Sequence, residues 1–317
     1  MISLDLLHYG AAAVALCLSA IGCGAGIGIA GQSVAEGTLR QPMAVTPVFN
    51  AMIIGLAIIE SGAIITLVAT LMALFGKRVD FTEAQAFAAA GGVLAVGIVS
   101  MIASFVSGFI VRATAQSIAR VPNFASQITT FMLLTQSLLE APIIFALIVN
   151  LMIRTSLSPS LSFDHAIALF GAACCITFGS IGPALGQSIF AYAAVKAIGE
   201  NYRAYNKFFT FALMNYAFIE TAVIFCLIIS LYAVFILPVG GITTMSAIKA
   251  CVAAGTISMG SFGGALALGL VGRKSCQNLA LDDTKYASIA RISLVTGVFI
   301  ESTIIYAFLI ALLLIIN

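Results

Sequence analysis

The sequence has 317 residues, of which 62% are hydrophobic and 8% are charged, and its formal net charge is +2. A soluble globular domain carries about 25% charged residues, so this chain has too few polar side chains to cover a water-facing surface. The composition therefore excludes a soluble domain, and the lack of a basic cluster in the sequence excludes nucleic-acid binding. An all-α membrane protein is predicted.

Eight apolar stretches are each long enough to cross the bilayer core as a helix, which takes about 20 residues. They pair into four tandem hairpins of parallel orientation, at residues 7–76, 86–153, 164–237 and 246–316. The spans predicted within these hairpins are, in chain order, 7–33, 46–75, 86–111, 125–153, 165–195, 208–237, 246–272 and 287–316.

One glutamate lies inside the second span of each hairpin. The four are separated by 80, 80 and 81 positions, which indicates an internal repeat. A buried carboxyl in the membrane costs about 2.5–3.5 kcal/mol, and it can hold a proton in lipid and release it near water or a cation. This pattern is typical of an ion carrier and not of a catalyst. The predicted ion-binding residues are Glu60, Glu140, Glu220 and Glu301.

The first spans carry small residues four positions apart, a pattern that lets helices approach closely. A thin first helix suits the inner wall of a ring. The residues predicted to serve helix packing are Gly22, Gly24, Gly26, Gly28, Gly182, Gly186, Gly263 and Gly269.

The seven cysteines show no paired metal spacing. They are expected to be small buried hydrophobic residues, and neither a metal site nor a cofactor is predicted. The loops inside the hairpins hold ten Lys and Arg residues, whereas the N-terminus and the links between hairpins hold four. The positive-inside rule therefore predicts cytoplasmic hairpin loops and both termini outside.

The first hairpin resembles the c-subunit of F-type ATP synthases along its whole length. The resemblance rests on the alternate glycines of residues 22–28, on Arg40-Gln41-Pro42 in the loop, and on Glu60, twenty residues after the arginine. The second hairpin keeps Arg120 and Pro122 at the same distance from its glutamate. Because the ordinary family member is a single hairpin, the whole chain resembles a fusion of four.

This resemblance implies a ring with first helices inside and second helices outside. Each glutamate would exchange its proton with the stationary a-subunit of the synthase, while the hairpin loops contact the central-stalk subunits gamma and epsilon. The chain would be a non-catalytic rotor component in lipid, in an energy-coupling membrane for which a bacterial inner membrane is favoured. Three copies, giving twelve hairpins, are the favoured ring. The stalk-contacting residues carried over are Arg40, Gln41, Pro42, Arg120 and Pro122, whereas the loops of hairpins three and four do not match.

Sodium-binding members of the family resemble a pattern of Gln on the first helix, Ser or Thr after the glutamate, and Tyr five residues after it. No hairpin here holds the full set, so protons are the expected ion. A sodium site between hairpins, in which Gln187 and Glu220 meet Ser302 and Tyr306, is the alternative. The residues expected to support the ion sites are Ser61, Gln187, Thr221, Ser302 and Tyr306.

Three other functions fit parts of the pattern. A V-type proteolipid also consists of fused hairpins, but it usually carries fewer carboxylates than hairpins. A repeat-containing secondary transporter often has inverted repeats and broken helices around a central site, whereas these repeats are parallel and their second spans mostly uninterrupted. A static structural oligomer leaves four costly carboxyls unexplained. The rotor ring is therefore the favoured interpretation.

Overall fold

The computed structural model describes residues 2–76, 82–158, 160–235 and 241–316. Within these ranges the chain forms eight long helices, all long and apolar enough to cross a membrane, which confirms the predicted all-α membrane fold. In chain order the helices are α1 (Ile2–Arg40), α2 (Val45–Phe75), α3 (Glu83–Arg120), α4 (Ala125–Thr155), α5 (Phe163–Glu200), α6 (Tyr205–Phe235), α7 (Thr244–Leu281) and α8 (Tyr286–Ile316).

Consecutive helices pair as four hairpins within the described part of the chain, each closed by a short 3-10 turn. We number the hairpins 1 to 4 in chain order. The predicted third hairpin ran to residue 237, and residues 236 and 237 lie outside the described residues. Three of the first helices begin at a side-chain cap, because the hydroxyls of Thr82, Ser162 and Thr243 each accept a hydrogen bond from the backbone N–H three residues later.

The first helices run further than the hydrophobic pattern predicts. α1 has 39 residues and α3, α5 and α7 have 38 each, whereas the spans were predicted to end at residues 33, 111, 195 and 272. At 1.5 Å per residue such a helix is roughly 57 Å long and extends well beyond the hydrocarbon core. It continues past the apolar stretch because Ala, Gln and Arg are good helix formers.

The helices form two rows. α1, α3, α5 and α7 lie side by side in the first row, and α2, α4, α6 and α8 in the second. Neighbouring helices touch over many more residues in the first row than in the second, so the rows form an arc with the first row on its concave side. Among the described residues, the end helices α1 and α7 share no extensive contact, so the arc is open.

Close approach within the first row depends on glycine. A Cβ built on Gly22 would overlap the backbone of Met101, and one on Gly26 would overlap the carbonyl of Ser104. Since the overlapping atoms belong to the backbone, α1 and α3 would have to separate to admit any side chain at these positions. The same contact recurs between α5 and α7, where it involves Gly182, Gly186 and Gly269.

Three of the glycines predicted to serve helix packing lie beside open space. Gly24 and Gly28 on α1, and Gly263 on α7, have no atom within 4 Å of a built Cβ. The prediction that they serve helix packing is therefore not met inside one chain. They lie on the outer sides of the two end helices, where no further hairpin of the same chain is present.

Cys17 also lies on the outer side of α1 and is exposed, whereas Cys23, Cys175, Cys226 and Cys276 are buried. The expectation that all cysteines are buried is therefore wrong for Cys17 and only partly met for Cys174 and Cys251, which are half-buried. The reason for Cys17 is its position at the open end of the arc, since the equivalent residue of α3, Gly97, packs against α1.

Candidate functional site

The glutamates share one depth. Each is the central residue of a 31-residue second helix, with 15 residues on either side. Because the second helices are parallel neighbours, the carboxyls lie at the same height along the bundle. They are Glu60 on α2, Glu140 on α4, Glu220 on α6 and Glu301 on α8.

None of these carboxyls is fully enclosed by the protein. Glu60 is exposed, and Glu140, Glu220 and Glu301 are partly buried. Within one chain the second helices have fewer contacts with one another than the first helices, so the protein alone leaves these carboxyls partly open. The carboxyls lie midway along the second helices, on the boundary between neighbouring hairpins.

A hydroxyl crosses the boundary between hairpins 1 and 2. Ser61 on α2 donates a hydrogen bond to Oε1 of Glu140 on α4. The same hydroxyl lies 2.7 Å from the carbonyl oxygen of Ile58, on its own helix. The hydroxyl therefore sits between a backbone carbonyl of one hairpin and the carboxyl of the next.

The same arrangement recurs between hairpins 3 and 4. Oγ1 of Thr221 lies 3.0 Å from Oε1 of Glu301 and 2.6 Å from the carbonyl oxygen of Phe218. In both cases the hydroxyl belongs to the residue after one glutamate, the carbonyl to the residue two before it, and the carboxyl to the following hairpin. The repeat of the sequence is thus also a repeat of contacts.

This geometry suits a protonated carboxyl. A serine hydroxyl has one proton and two acceptor lone pairs, so Ser61 cannot donate fully to both Ile58 and Glu140. When it donates to the carbonyl, its oxygen can accept a hydrogen bond from a protonated Glu140. A neutral carboxyl of this kind is also the form that the membrane interior favours.

A small cavity adjoins Glu140. Its volume is about 10 Å³ and its lining includes Ile58, Ser104, Ser107 and Glu140. That volume is close to the minimum needed for one water molecule, so the space excludes a hydrated cation. The amide of Gln136, which the sequence did not single out, donates to the hydroxyl of Ser107 at 2.7 Å.

The residues of the alternative sodium site do not come together within the described part of the chain. The hydroxyl that reaches a carboxyl between hairpins 3 and 4 is that of Thr221, and the carboxyl is Glu301. Ser302 instead donates to the carbonyl of Phe299 on its own helix, at 2.7 Å. Each hydroxyl points toward the following hairpin, so Ser302 lies at the free edge of the arc and not beside Glu220.

Two other residues expected to support the ion sites differ in their exposure to solvent. Gln187 on α5 is completely buried, and its side-chain amide has no hydrogen-bond partner among the described residues. Tyr306 on α8 is 63% exposed. These two side chains therefore do not form one ligand set, because Gln187 lies on the buried face of α5 and Tyr306 on the exposed side of α8.

Glu220 differs from its counterparts. The residue after the glutamate of hairpin 2 is Ala141, which has no hydroxyl to offer to Glu220 of hairpin 3. The next residue, Pro142, lies inside helix α4. Glu220 thus faces a boundary with a different chemistry from that at Glu140 or Glu301.

The hairpin turns carry the residues predicted to contact a stalk. Pro42 and Pro122 each open a 3-10 turn, and Gln41 and Arg120 line a polar cavity of about 460 Å³. The side chain of Arg40 lies outside the described residues. These residues therefore lie on the face of the bundle that carries the hairpin turns.

Ion pairs between hairpins explain why the later turns depart from the first. Arg120 of hairpin 2 lies 2.9 Å from Glu200 of hairpin 3, and Lys207 of hairpin 3 lies 2.7 Å from Asp283 of hairpin 4. Glu200 and Asp283 stand in the turns where the first hairpin has its Arg-Gln-Pro pattern, and each forms an ion pair with a basic residue of the preceding hairpin. The signal in the sequence was the separation of each acid from a cation by nearly one repeat, 80 and 76 residues.

Comparison with known proteins places two of the hairpins in one family. Residues 10–73 and 170–233, which lie in hairpins 1 and 3, each match the family described as the C-subunit of ATP synthase. A protein of Dehalococcoides mccartyi, named as an ATP synthase c-subunit, is 37% identical over 70 residues, covering 22% of this chain and 92% of that relative.

Similar relatives of the same name occur in other organisms. That of Citrifermentans bemidjiense is 46% identical over 67 residues, covering 21% of this chain and 74% of the relative. That of Syntrophobacter fumaroxidans is 40% identical over 81 residues, covering 26% of this chain and 89% of the relative. Each relative thus corresponds to about one hairpin, in agreement with a fused repeat.

Proposed function

This chain belongs to the ATP synthase c-subunit family, and on that premise we propose that it is a four-hairpin rotor component that carries protons. The family forms the ion-translocating ring of the synthase. In this chain each hairpin supplies one carrier, and the chain itself catalyses no reaction. The carriers are Glu60, Glu140, Glu220 and Glu301.

The observation that carries the proposal is the contact between a hydroxyl of one hairpin and the carboxyl of the next. It occurs at Ser61 with Glu140 and at Thr221 with Glu301, at equal depth. A carboxyl held in this way is loaded when protonated and is released when it moves beside a charge or water. The stationary a-subunit, through its arginine, supplies that environment as the ring turns.

Protons are the better ion for these sites. A bare sodium ion needs several oxygen ligands to replace its hydration shell. The cavity beside Glu140 is only about 10 Å³, and the hydroxyl of Ser61 is already engaged with a carbonyl. A proton needs one acceptor, and the hydroxyl oxygen of Ser61 supplies it.

The open edges of the arc support a ring made of several copies. On one edge Glu60 is exposed and has no hydrogen-bond donor among the described residues. On the other edge Ser302 has the same backbone bond as Ser61 and Thr221, with no carboxyl beyond it. A second copy placed against this edge brings its own Glu60 to Ser302 and completes the fourth site.

The glycines beside open space fit the same arrangement. Gly24 and Gly28 of one copy would face α7 of another, just as Gly108, the counterpart of Gly28, faces Gly26 inside the chain. Three copies give a ring of twelve hairpins. The turns with Arg120 and Gln41 would contact the stalk subunits gamma and epsilon on the cytoplasmic side, in a bacterial inner membrane.

Proton pumping by the complete synthase in membrane vesicles tests the proposal. A hydrophobic carbodiimide labels protonated carboxyls, and mass spectrometry locates the label. We expect labelling of the glutamates to fall as the pH rises, to be unaffected by sodium, and to abolish ATP-driven proton uptake. Proton uptake that persists after all four glutamates are labelled contradicts the carrier function, and protection by sodium contradicts the choice of ion.

A further inference from the structure

A polar cavity opens on the concave side of the arc, near the hairpin turns. Its volume is about 460 Å³, and its lining comes from hairpins 1, 2 and 3. Because α3 is flanked by α1 and α5 and backed by α2 and α4, a space that α1, α3 and α5 share lies on the remaining, concave face of α3. The cavity is thus separate from the glutamates, which lie on the second helices.

Three of the lining residues occupy the same position of the repeat. Glu36, Gln116 and Lys196 are 80 residues apart, and each lies four residues, about one helical turn, before the end of its helix. At one height the cavity therefore has an acidic side chain from hairpin 1, a neutral amide from hairpin 2 and a basic side chain from hairpin 3. Gln41 and Arg120, at the turns, also line it.

The two opposite charges do not neutralise each other. Within the described part of the chain, neither the carboxylate of Glu36 nor the ammonium of Lys196 takes part in an ion pair. The ammonium lies 4.8 Å from the ring centroid of Tyr192, on its own helix. A cavity with separate, unpaired charges of opposite sign is complementary to a ligand that carries both a phosphate and an ammonium group.

The cavity lies at the height of lipid head groups. Ser107 lines the small cavity beside Glu140, so it marks the level of the carboxyls on α3. Gln116 is nine residues further along this helix, which is about 13.5 Å at 1.5 Å per residue. For carboxyls midway across the membrane, a hydrocarbon core of about 30 Å ends about 15 Å away. The charged side chains of the cavity therefore lie where acyl chains meet head groups.

The face of α3 below the cavity is apolar. Phe109 and Phe105 precede Gln116 by seven and eleven residues, about two and three helical turns, so they share its face. Their rings pack edge to face with centroids 5.5 Å apart, and Phe105 is 39% exposed. Among the described residues no helix covers this face. In a closed ring it turns toward the lumen, where acyl chains suit an exposed apolar surface.

We infer that the cavity binds the head group of a phospholipid that carries a phosphate and a primary ammonium, with its acyl chains along the face of Phe105. The carboxylate of Glu36 accepts hydrogen bonds from the ammonium. Lys196 donates to the phosphate, together with the N–H groups of Arg120 that its single bond to Glu200 leaves free.

This inference goes beyond the proposed function, because it concerns a bound lipid and not the carried ion. It uses the proposed ring only to place the concave face in the lumen. All of the lining residues belong to one chain, so each copy holds one such lipid.

The charges of the cavity distinguish between phospholipids. Phosphatidylethanolamine offers N–H groups to Glu36, whereas the trimethylated ammonium of phosphatidylcholine has none. Phosphatidylglycerol has no cation, so its anionic head group leaves the carboxylate of Glu36 without a partner. Phosphatidylethanolamine should therefore be retained in preference to both.

The test counts the lipids that assembled rings retain. Rings are equilibrated in phosphatidylcholine vesicles that contain equal minor amounts of phosphatidylethanolamine and phosphatidylglycerol, then extracted and weighed by native mass spectrometry. We expect enrichment of phosphatidylethanolamine, up to one molecule per chain. Glu36→Gln should lower the retained ratio of phosphatidylethanolamine to phosphatidylglycerol by about fivefold, the effect of one charge at a membrane surface. Lys196→Gln should lower the total amount of retained lipid by a similar factor.

Matched controls make the same charge changes in hairpin turns outside this cavity. Asp282→Asn and Arg203→Gln alter an acid and a base that do not line it, and both should retain lipid as the unaltered ring does. A native gel confirms that each variant still assembles. Retention that only mirrors the vesicle composition, or an unchanged ratio in Glu36→Gln, overturns the inference.

Two further measurements identify the occupant. Soluble glycerophosphoethanolamine should not displace the lipid, because it lacks acyl chains for the apolar face, and displacement overturns the assignment to a lipid. The complete synthase should retain the same number of lipids as the isolated ring, whereas their loss on stalk binding assigns the cavity to a protein segment. The proposed function is measured separately, by ATP-driven proton uptake of the unaltered synthase.

Discussion

Ser61 and Glu140 are hydrogen-bonded across the boundary between two hairpins, although 79 residues separate them in the sequence. The serine belongs to the helix that carries Glu60, and it serves the carboxyl of the next helix. Glu140 and Glu301 therefore each depend on a hydroxyl that the preceding hairpin supplies. The loss of either hydroxyl should affect the site of the following hairpin and leave the site of its own hairpin intact.

Ser61→Ala should make Glu140 release its proton more readily, because the neutral carboxyl loses the oxygen that accepts its hydrogen bond. A hydrogen bond of this kind contributes about 0.5–1.5 kcal/mol, so the pH of half-labelling of Glu140 should fall by about one unit. Carbodiimide labelling followed by peptide mass spectrometry measures the shift at each glutamate in one sample.

Thr221→Ala is the matched control for this experiment. It should shift Glu301 by a similar amount and leave Glu140 unchanged, because the carboxyl that its hydroxyl contacts is that of Glu301 in the fourth hairpin. If Ser61→Ala shifts Glu60 on its own helix and not Glu140, the pairing between hairpins is wrong.

The contact between copies can be tested with one native cysteine. Inside the chain a Cβ built on Gly97 lies 2.7 Å from the Cβ of Ala15. The repeat makes Cys17 the counterpart of Gly97, and Thr256 the counterpart of Ala15 at the opposite edge. Thr256→Cys should therefore form a disulfide with Cys17 of the neighbouring copy on mild oxidation, once the two helices separate slightly to the Cβ–Cβ distance of about 3.5–4.5 Å found in disulfides.

Gel electrophoresis under non-reducing conditions measures the product. A ring of three copies should give bands of one, two and three chains and no larger species. The double variant Thr256→Cys with Cys17→Ser should remain a single band. Absence of any cross-linked band in assembled rings contradicts the proposed edge-to-edge contact.

Substitutions of two glycines on α1 should distinguish an effect on folding from an effect on ring assembly. Gly26→Val brings a side chain into the backbone of Ser104, so it should lower the thermal unfolding temperature of the detergent-solubilised chain, by an overpacking effect of about 1–3 kcal/mol. Gly28→Val meets open space in the single chain. It should leave that temperature unchanged but prevent ring formation on a native gel. Equal behaviour of the two variants in both measurements would refute the assignment of Gly28 to the contact between copies.

Glu140→Gln should stop ATP-driven proton uptake entirely. Covalent linkage fixes the order of the sites, so every full turn brings position 140 past the stator, where an uncharged amide cannot exchange a proton. The dye-based assay of proton uptake in vesicles measures this directly. Substantial pumping by a ring in which every chain carries Glu140→Gln contradicts the need for all the carriers.

The sequence predicts the repeated hairpins well because the glutamates recur at nearly constant intervals within apolar stretches. It does not predict which neighbour each hydroxyl serves, since that depends on how the second helices are rotated. The alternative sodium site paired Ser302 with Glu220, whereas the hydroxyls point the other way along the arc. The ends of the first helices were also missed, because helix propensity continues where hydrophobicity stops.

The acids of the later turns have partners that the sequence does not predict, for a related reason. Glu200 and Asp283 break the loop pattern of the first hairpin, and only the side-by-side packing of the hairpins reveals their basic partners Arg120 and Lys207. These pairs are partly exposed, so each contributes little to stability. Their value lies in fixing the register between neighbouring hairpins.

The carboxyls have different surroundings, so the steps of the proposed rotor should differ in energy. Glu140 and Glu301 each meet a hydroxyl, whereas Glu220 follows an alanine and a proline. In a ring built from identical single hairpins every step is energetically alike, but here the step at Glu220 differs from the others. A rotating ring of this protein should therefore pause for a distinctive time once in every four steps. Dwell times recorded for single molecules should repeat with a period of four, the number of hairpins in one chain.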